Sequence, residues 1–134
     1  MKTSRISWIK NFILILVVEK IVQHTLVTLA FKNNLNDIRS MVVVNPDVLM
    51  ILGAILAILF VVSLFGLLAN RLWSLDLLIG LAIADIIGEF IAQGVIAIVI
   101  TVSLLVAIAL LGLVVIYRWQ LKRSATRSNG AADA

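Results

Sequence analysis

Two apolar stretches of this chain carry ionisable residues at the same distance from a tryptophan. Lys20 and His24 stand twelve and sixteen residues after Trp8, and Asp85 and Glu89 stand twelve and sixteen after Trp73. In helices rising 1.5 Å per residue, both sets lie roughly 18 and 24 Å along their segments. Bases on one helix and acids on another, at matched depth, can pair as ions, exchange a proton or coordinate a cation. Charges inside an apolar segment need such partners.

Helical spacing sharpens the two sets. Lys20, Gln23, His24 and Thr28 share one face of the first segment, with Glu19 at its edge. Asp85, Glu89 and Gln93 recur every four residues on the second. Beside that acidic strip runs a row of small residues, Gly80, Ala84, Gly88 and Ala92, of the kind that lets another helix approach closely. The spacing predicts that Lys20 faces Asp85, that His24 faces Glu89, and that the small row is a packing surface. Glu19, Asp85 and Glu89 against Lys20 leave a net charge of −2. Like charges in low dielectric do not all persist, so one carboxyl, Glu89 or Glu19, is expected to hold a proton.

Other chemistry finds little support. One histidine among scattered carboxylates lacks metal-ligand or haem spacing, so neither a metal nor a cofactor is expected. There is no cysteine, which excludes disulfides and thiol catalysis. Glycine-rich phosphate loops, nucleophile elbows and HExxH are absent, and no enzymatic activity is expected. Asp76 reads as an interfacial residue satisfied by water or Arg71. Ser63, Thr101 and Ser103 can bond their own backbone and need no further role.

The segments that position these residues follow from composition. Of 134 residues 63% are hydrophobic and 13% charged, with mean hydropathy +1.18. Soluble domains hold about 45–50% apolar and about 25% charged residues, so this chain falls in the membrane class. Four segments reach the roughly 20 residues needed to cross a hydrocarbon core: about 8–31, 47–69, 72–93 and 95–117. The expected fold is an all-α integral membrane protein with four transmembrane helices in an antiparallel bundle over residues 1–123. Residues 124–134, polar and small, are expected to form a disordered cytoplasmic tail.

Local signals mark the boundaries. Asn45-Pro46-Asp47 reads as an N-cap, a first-turn proline and a first-turn acid. Asn70-Arg71 and Gly94 mark the two later turns. Trp8, Trp73, Tyr117 and Trp119 fall at the expected membrane–water boundary. Leu35, Ile38 and Val42 in the first loop allow either a short interfacial turn or an irregular loop.

Lys2, Arg5, Lys10, Arg71, Arg118, Lys122, Arg123 and Arg127 lie at one end of the spans, eight basic residues against Lys32 and Arg39 at the other. The positive-inside rule then puts both termini in the cytoplasm of a cell-membrane protein. The net charge of +4 accordingly reports topology and attraction to anionic lipid rather than nucleic-acid binding. The basic start suits a signal peptide, but the apolar run continues through Glu19 and Lys20 without a small-residue cleavage site, so no cleavage is predicted.

Two larger patterns complete the reading. Trp8, Asn11, Lys20 and His24 match Trp73, Asp76, Asp85 and Glu89 at an offset of 65, which suggests a duplicated helical hairpin with both copies in one orientation. Four spans with Glu19 inside the first also resemble, in outline, the small multidrug-resistance transporters. The run Val17-Val18-Glu19-Lys20-Ile21 departs from that family's pattern, Lys20 would obstruct a cation site, and the first loop is longer; no family is assigned. Two functions fit: a structural, accessory or self-assembling membrane subunit held by its charge ladder, or a small proton- or cation-coupled transporter acting as an oligomer. Beyond the lipid bilayer, the expected partner is a second copy or another membrane protein.

Overall fold

A computed structural model describes residues 2–93 and 101–132, with side chains over 7–92 and 101–127. The described residues form four α-helices: α1 (Lys2–Asn33), α2 (Pro46–Leu68), α3 (Leu72–Gln93) and α4 (Val102–Ala132). Among the described residues the regular structure is all helical. Among the described residues, three segments are long and apolar enough to cross a membrane: Ser7–Asn33, Pro46–Leu68 and Val102–Arg127. The remaining helix, α3, has 22 residues but carries Asp76, Asp85 and Glu89 within them.

Each boundary has a local cause. No glycine or proline interrupts α1; it gives way at Asn34, which is left-handed with φ 48°. Arg39 then ties this end together, donating to the Phe31 carbonyl at 3.3 Å and pairing with Asp47 at 2.5 Å. Between the two helices Leu35–Ser40 makes a 3₁₀ turn broken by left-handed Asn36 and Asp37, so Leu35, Ile38 and Val42 do not share a regular helical face. Donors on Ser40 and Asn34 hold the Asp37 carboxyl below the usual carboxylate range. Helix α2 starts as its residues dictate: the Asn45 side chain accepts from the Asp47 N–H at 2.9 Å, with Pro46 in the first turn.

The α2–α3 turn is tight. Asn70 adopts φ 56°. The Arg71 N–H bonds to the Gly66 carbonyl at 2.8 Å and the Asn70 N–H to the Leu67 carbonyl at 3.1 Å, the paired bonds of a Schellman ending. The close return brings Ser74 and Trp73 against Gly66, where an added Cβ would sit 2.7 Å from the Ser74 Cβ.

Helix α1 packs on α2 and α4, and α3 packs on the same two helices. Helices α1 and α3 therefore lie across a diagonal. One end of the bundle holds an apolar core of Ile13, Val17, Phe60, Leu78, Ala82, Leu110 and Val114. The outer faces carry large apolar side chains, including Ile15, Ile51, Ile58, Phe65, Ile87 and Ile108, each about half exposed or more.

Several expectations are revised. The Gly94 turn and the start of a span at 95 lie outside the described residues; described α4 begins at Val102, capped by Thr101, whose hydroxyl accepts from the Leu104 N–H at 3.1 Å. Helix α4 runs through residues 124–132. Extending an existing helix avoids the nucleation cost, and the Ser124 and Thr126 hydroxyls bond back to the Gln120 and Lys122 carbonyls. Asp76 pairs with Arg118 of α4 rather than with Arg71. Gly80 and Gly88 have nothing within 4 Å of an added Cβ, and Gly80 and Ala84 are exposed. Gly80 and Ala84, in the small-residue row, thus lie on an outward face of α3.

Gly66→Ala should lower the thermal unfolding temperature in detergent, by an overpacking cost of about 1–3 kcal/mol, whereas Gly80→Ala should leave it unchanged or raise it slightly. Equal effects at the two glycines would contradict this packing.

Candidate functional site

One turn beyond the apolar core, the bundle becomes polar. Lys20 on α1 is completely buried and Asp85 on α3 is 7% exposed; Nζ lies 2.6 Å from Asp85 Oδ2. The ammonium also donates to Gln23 Oε1 at 2.9 Å, the Ser103 carbonyl at 2.9 Å and Ser103 Oγ at 3.1 Å. An ammonium has three protons, and here they share oxygens from α1, α3 and α4. The lysine stem is what reaches across the diagonal.

His24 completes the layer. Its Nε2 lies 3.3 Å from Asp85 Oδ1, and its ring stacks on Phe60 of α2 at 5.6 Å between centroids. All four helices thus meet at one polar knot. The depth match paired His24 with Glu89, whereas the contact recorded for His24 is with Asp85. Residues 20 and 24 are one turn apart, and both point at the same carboxylate across the diagonal.

Glu89 sits one turn further along α3. It accepts a hydrogen bond from the Thr101 hydroxyl at 2.9 Å, and Thr101 is the cap of α4. Its carboxyl group therefore lies at the N-terminus of a long helix.

Beyond the knot lies a cleft of about 460 Å³, lined among the described residues by Gln23, His24, Val27, Asp85, Glu89, Thr101, Val102 and Ser103. It is positioned where α1 and α3 end and α4 begins. Glu19 is half-buried, and its Oε2 is buried without a hydrogen-bond partner among the described residues. The Gln93 side chain lies outside the described residues. No group of three or more metal-ligating side chains occurs among them.

Sequence reasoning missed Ser103, Thr101 and Phe60. The threonine carried a readable signal, a hydroxyl at the head of an apolar helical run. Ser103 and Phe60 carried none, since their roles depend on which helices are neighbours.

The geometry ranks two substitutions. Asp85→Leu strands a fully buried ammonium on neutral oxygens, whereas Lys20→Leu leaves Asp85 beside His24. Breaking a buried pair costs about 3–5 kcal/mol. Asp85→Leu should fall in that range and Lys20→Leu should be milder, measured by thermal or denaturant unfolding in detergent micelles. The reverse order would contradict the recorded contacts.

No protein-family model, curated protein or solved structure matches this chain, so its function is read from the geometry of the polar knot and cleft.

Proposed function

We propose that the chain is a four-span cell-membrane protein with both termini in the cytoplasm, a structural or accessory subunit rather than an enzyme, in which the Lys20–Asp85 pair specifies assembly. The observation that carries this reading is the Lys20 ammonium, wholly buried and held by oxygens of three helices. Those bonds form together only when α1, α3 and α4 share one register. Helix α3 supports the same view. Each central Asp costs about 2.5–3.5 kcal/mol on the insertion scale while each Leu or Ile contributes only about 0.3–0.6 in its favour. A helix with three acids is marginal alone and becomes a span through its neighbours. The outward Gly80–Ala84–Gly88 row supports contact with a second copy or another membrane protein.

Replacing Lys20 and Asp85 together by Leu should retain folding and membrane assembly where Asp85→Leu alone loses them, since an apolar pair can replace a buried ion pair. A double variant as damaged as the worse single one would overturn the assembly reading.

The cleft favours a second reading, a small proton- or cation-coupled transporter working as an oligomer. It reaches Asp85, Glu89 and His24 from one end of the bundle, while the interior next to it is packed with apolar side chains. In proteoliposomes, Glu89→Gln should then fold normally yet abolish proton- or cation-dependent flux seen with the native chain. Absence of flux from the native chain removes this reading and leaves the first untouched.

A further inference from the structure

At the end of the bundle away from the cleft, a slot of about 130 Å³ opens where α2 turns into α3. Leu67, Leu75, Leu121 and the buried Tyr117 form its walls, and Asn70 and Arg71 stand among its lining residues at the turn. Three sources of positive charge gather there. Arg71 is exposed and has no ion-pair partner among the described residues. Lys10 reaches the turn from α1, its ammonium donating to Asn70 Oδ1 at 2.5 Å. Helix α3 begins at Leu72, so the positive end of its backbone dipole lies beside Arg71. The next acid along α3, Asp76, is taken up by Arg118 and leaves this charge uncompensated.

A cationic mouth over an apolar slot, next to the exposed Trp73, has the chemistry of a phospholipid site. A phosphate alone would use the mouth and leave the leucines wet; a lipid fills both. We propose that the α2–α3 turn binds one anionic phospholipid, its phosphate between Arg71 and Lys10 and the first methylenes of an acyl chain against Leu67, Leu75 and Leu121. The proposal rests on the membrane reading of the chain but not on its sidedness or on the role of the polar knot. Basic pockets between membrane helices hold lipid headgroups on the same physical grounds.

The full chain, purified in detergent, is titrated with phosphatidylglycerol, phosphatidylcholine and inorganic phosphate, with bound lipid counted by native mass spectrometry. Phosphatidylglycerol should bind at least tenfold more tightly than phosphatidylcholine, and phosphate should bind more weakly than either. Lys10→Gln with Arg71→Gln should bring the two lipids to within about twofold, which removes both cations but neither wall. Leu121→Trp, which fills the slot and keeps the charge, should also weaken phosphatidylglycerol binding. Arg127→Gln, one basic residue fewer on the exposed tail of α4, should change nothing. Equal binding of the two lipids by the native chain overturns the proposal. So does an unchanged preference in the Lys10/Arg71 variant, or a loss with Arg127→Gln equal to that variant's, which would report bulk charge alone.

Discussion

The Lys20 ammonium is the constraint around which the bundle is arranged. Removing a full charge from water without compensation costs several kcal/mol even after relaxation, and Lys20 is wholly buried. Compensation comes from Asp85, Gln23 and Ser103, residues on three helices. Rotating α1 by one residue would carry the ammonium about 100° away from Asp85 and Ser103. Sliding α4 by a turn would move Ser103 off it. The apolar core fixes neither so sharply, because leucine and isoleucine surfaces tolerate several registers at similar energy.

The diagonal placement of α1 and α3 explains why these residue types are used. Helices across a four-membered square do not touch along their backbones, so only long side chains join them. A lysine stem passes the apolar centre and delivers its charge on the far side. The small-residue row would have served a direct α1–α3 contact, yet it lies on the outer face of α3. Close approach inside the protein falls elsewhere, at Gly66, where the α2–α3 turn brings Trp73 and Ser74 against the helix.

Polar contacts at the two ends have a different weight. Arg39–Asp47 at one end and Asp76–Arg118 at the other are ion pairs in which at least one partner is exposed, and such pairs contribute about 0–1 kcal/mol. They orient loops and helix ends rather than hold the bundle. Glu89 lies between these regimes, half-buried, with the capped end of α4 as its partner. Three of the acids thus have a neighbour suited to their depth: Asp85 a buried lysine, Glu89 a helix terminus at the cleft, and Asp76 an arginine at the surface.

The order of residues by itself determined that the chain is helical and apolar, where α2 begins, and that Lys20 and Asp85 lie at one depth. Those properties follow from hydropathy, a local cap and a constant rise per residue, all of which act within one segment. The sequence pattern did not reveal that α1 and α3 sit diagonally, that His24 shares Asp85 with Lys20, that Ser103 accepts from Lys20, or that Thr101 donates to Glu89. Periodicity states which side chains share a face; only the packing of four helices decides which neighbour that face meets, because the same stripe is compatible with several arrangements until long-range contacts select one.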